Sequence, residues 1–163
     1  MSQTRGRHSG ILTLLRLALG GLYVFAGVIK LQGPLDFSTS VMAFKILPDH
    51  LAQLATFAIP WTEVICGVAL LAGWWARASA LVLAVLTGIF IAGIASVLER
   101  GLSVNCGCFG KLSPFCKGPL GSCNLVQNAI ILIAAFVVCI GGPGRLAIDN
   151  ALVRSGDGPG PRR

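Results

Sequence analysis

Apolar residues run along this chain in four long blocks, separated by stretches where glycine, proline and charged residues collect. The blocks cover about residues 11–31, 51–75, 78–98 and 125–140. A hydrocarbon core of about 30 Å takes roughly 20 residues of helix, so the pattern predicts four transmembrane helices in one domain. The fold class is therefore all-α integral membrane, a four-helix bundle spanning residues 11–140. Residues 1–10 read as a polar tail, 99–124 as a cysteine-bearing loop, and 141–163 as a Gly-, Pro- and Arg-rich tail with too little to bury to stay ordered throughout.

Finer features sit on this frame. A basic start before an apolar run can mark a cleaved signal peptide, but the run is too long and lacks a small-x-small site near its end, which favours a retained helix. Arg16 lies about 7 to 8 Å inside that helix at 1.5 Å per residue, and its head is predicted to snorkel to the near interface. Phe37, Val41 and Phe44 recur at helical spacing, which fits either a short helix lying on the membrane surface or an ordinary loop. Pro60 should bend the second span one turn before Glu63. Trp74, Trp75 and Arg77 form an interfacial anchor at its end. In the third span Ala80, Ala84, Gly88, Ala92 and Ser96 repeat every four residues, a row of small side chains predicted to be the packing seam and a candidate face for a homo-oligomer. Asn124 is placed to cap the fourth span, and Gly141-Gly142-Pro143 to stop it.

Composition agrees with the membrane reading. Of 163 residues, 55% are hydrophobic and 12% charged, and the mean hydropathy is +0.80, well above an ordinary soluble domain. The net charge of +7 does not point to nucleic acid, because the basic residues are scattered at span ends and tails. They instead bear on orientation. With the N terminus inside, Arg5, Arg7, Arg77, Arg145, Arg154, Arg162 and Arg163 are cytoplasmic, against Lys45, Arg100, Lys111 and Lys117 outside. That puts both termini in the cytoplasm of a cell-membrane protein and the cysteine loop on the extracytoplasmic side, where disulfides persist.

The loop carries the most chemistry. Val104-Asn105-Cys106-Gly107-Cys108-Phe109-Gly110 puts two thiols one residue apart, and Cys116 and Cys123 follow. A disulfide between Cys106 and Cys108 closes a small strained ring, which makes it easy to reduce and hence a good oxidant. Lys111 and Lys117 are near enough in sequence to favour a thiolate. One reading is a redox-active couple, Cys106 and Cys108, with Cys116 and Cys123 as a second couple. Another is two inert disulfides pinning a long loop, since four thiols allow three pairings. A zinc site is the third, but a one-residue gap suits it poorly. Cys66 and Cys139 fall in apolar spans and read as buried free thiols.

Lys30 and Glu63 are the second constellation, Lys30 near the outer end of its span and Glu63 near the outer portion of its own, and so at similar depth. Isolated charges there cost several kcal/mol, so pairing is expected. The pair is read either as a structural tie between two helices or as a proton-handling site in which Glu63 exchanges protons while thiols are oxidised, with Arg16 as the third framework or proton-handling charge of an intramembrane cluster.

The string Arg16-x3-Gly20, Phe25-x-Gly27-x2-Lys30-Leu31, Pro60-Trp61-x-Glu63 and Cys106-Gly107-Cys108-Phe109-Gly110 resembles the MauE family within the wider DoxX-like membrane proteins, over about residues 12–140. The resemblance implies a four-helix, redox-associated protein. It further implies a role beside a thioredoxin-like partner in disulfide formation, with a link to methylamine metabolism. Two departures limit what carries over. Gln127-Asn128 stands where a basic residue before Asn is usual, and Cys116 and Cys123 look like additions with no role implied by the family. Analogy to other four-helix membrane thiol oxidases adds a quinone headgroup, seated between helices, as a candidate electron acceptor. The competing class is a non-catalytic assembly subunit whose disulfides only stiffen the loop.

Overall fold

The computed structural model describes residues 3–46, 48–101 and 121–142, with side chains from residue 10 onward. Cys106, Cys108 and Cys116, and the tail from residue 143, lie outside them. Among the described residues there are five helices and no strand: α1 (Gln3–Gln32), α2 (Pro34–Ala43), α3 (Asp49–Ala72), α4 (Ala76–Glu99) and α5 (Ser122–Gly141). Gly10–Gln32, α3, α4 and α5 are each long and apolar enough to cross a membrane. Only 22% to 39% of the residues in these spans are buried within the protein. Most of their apolar side chains therefore face outward, which suits lipid and not water.

The boundaries follow from local chemistry. Helix α1 starts at Gln3 and not near residue 11, because Gln3–Gly10 contains no proline and a helix can continue past the hydrocarbon edge where its polar side chains are solvated. Pro34 starts α2 at the position where a missing N–H costs nothing. Helix α3 ends at Ala72, three residues short of the predicted Trp75. Gly73 takes a left-handed conformation at φ 69°, and the amides of Gly73 and Trp74 cap the carbonyls of Leu70 and Ala69. Helix α3 runs on through Pro60. Helix α5 starts at Ser122, and Asn124 closes its first turn from the third position, not as the cap: its Oδ1 accepts the Gly121 amide at 3.3 Å.

The four spans pack in a ring: α1 on α3, α3 on α4, α4 on α5 and α5 back on α1. Leu19, Tyr23, Leu70, Leu83 and Val138 fill its centre. Helix α2 does not lie with its apolar face in lipid. Phe37, Val41 and the following Phe44 are buried against the bundle, and Arg100 at the end of α4 donates from Nη2 to the Phe44 carbonyl at 2.7 Å.

The tightest seam is α1 on α3, made by glycines. A Cβ on Gly20 would stand 2.9 Å from the Gly67 carbonyl, one on Gly67 would stand 3.0 Å from the Gly20 carbonyl, and one on Gly27 would stand 2.9 Å from the Pro60 carbonyl. Backbones this close gain dispersion contacts that lipid cannot replace. The small-residue row of α4 serves this purpose only in its first half. Ala80 and Ala84 are buried, whereas Ala92 is exposed and Gly88 has open space where a Cβ would be. A four-residue step overshoots a helical turn by about 40°, so a row of five drifts about 160° round the helix and cannot face one neighbour.

Gly67→Leu is predicted to force α1 and α3 apart and cost about 1 to 3 kcal/mol, as overpacking does. Gly88→Ala should stay within about 0.5 kcal/mol of the parent protein. Reversible unfolding in mixed micelles measures both, and equal effects would remove the glycine seam as the special contact.

Candidate functional site

Gly27 sets up the ion pair one turn further on. Because it has no side chain, α3 approaches until a Cβ there would meet that of Glu63 at 3.2 Å. Lys30, three residues later on the same face of α1, then reaches across, and its Nζ donates to Glu63 Oε1 at 2.5 Å. Both side chains are almost wholly buried, 4% and 7% exposed. The ammonium also lies 5.2 Å from the ring centre of Phe37 and 5.6 Å from that of Phe90, so two aromatic faces share its charge.

Around this pair is a cavity of about 30 Å³ lined by Tyr23, Ala26, Lys30, Glu63, Thr87, Phe90 and Asn128, drawn from all four spans. Tyr23 Oη lies 2.6 Å from Thr87 Oγ1. Thr87 gives its own hydroxyl proton to the Leu83 carbonyl at 2.8 Å, so Tyr23 is the donor between them. Asn128 Nδ2 donates to the Asn124 carbonyl at 2.8 Å. A water needs roughly 10–15 Å³, so the cavity has room for about two.

The predicted charge cluster of Arg16, Lys30 and Glu63 is divided. Fourteen residues of helix put Arg16 about 21 Å from Lys30 along α1. Arg16 does not snorkel either; it is 2% exposed and partnered within the protein. Its depth in the bundle made burial cheaper than reaching the interface only because neighbouring helices cover it. Of the loop cysteines, Cys123 is exposed on the first turn of α5 and disulfide-bonded. Cys106, Cys108 and Cys116 lie outside the described residues. Cys66 and Cys139 are free thiols, half-buried against the central core.

Tyr23, Thr87 and Asn128 were not singled out from the sequence as site residues. Asn124 and Asn128, four apart in an apolar span, were the available signal for the last of them. Helices α1 and α5 run antiparallel, with Gly141 against Leu12 at one end and Asn128 beside the Lys30 cavity at the other. Cys123 lies five residues above Asn128, about 7 to 8 Å along the helix. Cys123 thus lies at the end of the bundle toward which Lys30 and Asn128 are displaced, whereas Glu63 and Thr87 line the cavity from near the middle of α3 and α4.

A four-span membrane bundle with a buried lysine–glutamate pair between its first and third helices, and a disulfide at the head of its last, defines the class. The chain belongs to the MauE family, described as methylamine utilisation protein MauE, which it matches over residues 9–141. It is similar to methylamine utilization protein MauE of Paracoccus denitrificans, 28% identical over 149 residues that cover 91% of this chain and 77% of that protein. No solved structure matches.

Removing one partner of a buried pair strands the other charge. Lys30→Met or Glu63→Leu alone is expected to cost about 3 to 5 kcal/mol, and the two together to recover most of it. A double-mutant cycle on unfolding in micelles checks this, and additive losses would mean the two charges do not stabilise each other.

Proposed function

We propose that this protein supports thiol-disulfide exchange on the extracytoplasmic face of the cell membrane. Cys106 and Cys108 form the couple that meets the partner, and Cys116 and Cys123 form the couple that passes the disulfide on. The observation that carries the reading is the disulfide-bonded, exposed Cys123 on the first turn of α5. The excess of basic residues beside the opposite end supports an orientation with both termini cytoplasmic. The partner is a protein dithiol, of a thioredoxin-like protein or of a substrate.

In the exchange, a partner thiolate attacks one sulfur of the Cys106–Cys108 disulfide and the other sulfur leaves as thiolate. The second partner thiol then resolves the mixed disulfide. Two electrons pass to the loop, the partner gains a disulfide, and the loop pair becomes a dithiol. Attack by that dithiol on the Cys116–Cys123 disulfide restores the first and leaves the second pair as a dithiol, whose two electrons and two protons pass to a quinone or to the disulfide of a second protein. Lys30 and Glu63 hold α1 to α3, a framework role that their direct contact favours. The name of the Paracoccus relative makes methylamine utilisation the pathway to examine first.

Cys106→Ser and Cys108→Ser, made separately, should differ: one traps a mixed disulfide with the partner and the other does not. The loop potential should lie above about −300 mV, outside the range of structural bridges. In intact cells, a membrane-impermeant thiol reagent should label the loop only after reduction. A loop that resists reduction, traps no partner and still supports the pathway would instead identify an assembly subunit.

A further inference from the structure

The second carboxylate oxygen of Glu63 has no hydrogen-bond partner among the described residues, although it is fully buried. Lys30 satisfies Oε1 alone. A buried carboxylate oxygen without a donor is costly, and such groups in native proteins are served by protein or by ordered water. The residue lines the cavity described above, so the place for a donor is defined.

We propose that this cavity is a binding site for internal water, one or two molecules that donate to Glu63 Oε2 and join it to Tyr23 and Asn128. The chemistry of the walls selects the ligand. Lys30 already neutralises Glu63 and would repel a second cation. An anion would meet the carboxylate. A neutral donor of minimal size remains, and about 30 Å³ suits water.

Each water also has the two to four partners it needs. Tyr23 gives its proton to Thr87, because Thr87 has spent its own on Leu83, so Tyr23 Oη keeps a lone pair to accept from water. Asn128 uses one N–H on the Asn124 carbonyl and keeps the other, together with its carbonyl oxygen. Lys30 has two further N–H groups beyond the one on Glu63. A water that donates to Glu63 Oε2 and Tyr23 Oη, and accepts from Lys30 or Asn128, is fully bonded. The site is thus polar on several sides and apolar at Ala26, Leu22, Phe90 and Ile131. It stands whether or not the loop disulfides exchange.

Radiolytic hydroxyl-radical footprinting of the full chain in nanodiscs, read by mass spectrometry, tests it, because radicals formed from a bound water mark the side chain beside it. Tyr23 is the single tyrosine of the sequence, so its label is unambiguous. Tyr23 should be labelled despite its burial, while Phe37, equally buried but outside the cavity, should not. In Ala26→Leu, which fills the cavity, the Tyr23 label should fall to the Phe37 level. Tyr23 as silent as Phe37 in the parent protein would overturn the proposal, and that reading needs no variant to fold. If Ala26→Leu folds and Tyr23 keeps its full label, the water lies elsewhere and the proposal also fails. Exchangeable cysteines over a dry cavity would sink this inference alone, and inert cysteines over a wet one would sink the thiol reading alone.

Discussion

Hydrocarbon gives a charge nothing to bond to, so Lys30 and Glu63 must meet if α1 and α3 are to lie in a membrane together. Their contact depends on backbone geometry more than on the two side chains. Without Gly27 the helices would stand further apart at the level of Glu63, and Lys30 would have to cross a wider gap. The aromatic rings of Phe37 and Phe90 complete the enclosure, which explains why α2 turns its apolar face inward. A helix lying in the headgroup layer would leave the ammonium open to water on that side.

The same economy runs through the rest of the interior. Tyr23 reaches across the bundle to Thr87, tying the first span to α4 where few other contacts join them. Asn128 brings α5 to the same cavity. Each of the four spans therefore contributes a polar group to one region, while the core around Leu19, Leu70, Leu83 and Val138 is apolar. In lipid, where apolar side chains gain little by choosing a helix over a fatty chain, such polar contacts and the glycine seam are what fix which helix lies beside which.

How much of this was legible in the sequence depends on what kind of signal each feature leaves. The four spans were clear, because twenty apolar residues in a row have few other uses. The meeting of Lys30 and Glu63 was also accessible, since two rare charges at similar depth constrain each other. Arg16 misled because a flexible side chain near a span end has two low-energy choices, and only the neighbouring helices decide between them. The small-residue row on α4 misled through its own regularity: a strict four-residue repeat is not a helical face. The hydroxyl pair was hidden for a different reason. Thr56, Thr62 and Thr87 all bond back to the carbonyl four residues earlier, so any threonine in a span can satisfy itself. That Thr87 alone among them also receives Tyr23 is a fact of three-dimensional packing, and nothing at position 87 announces it.

The two ends of the bundle differ in a way that bears on where chemistry can occur. One end has Trp74, Trp75 and Arg77, exposed side chains suited to an interface. The other has Asn124, the Arg100 contact to Phe44 and the disulfide of Cys123, with the ion pair deeper, at Glu63 near the middle of α3. Because α5 is continuous from Ser122 to Gly141, Cys123 and Asn128 move as one rigid piece over their five-residue separation. The polar interior is therefore set deeper than the disulfide, by about 7 to 8 Å along α5 at Asn128 and further still at Glu63 and Thr87, near the middle of their helices.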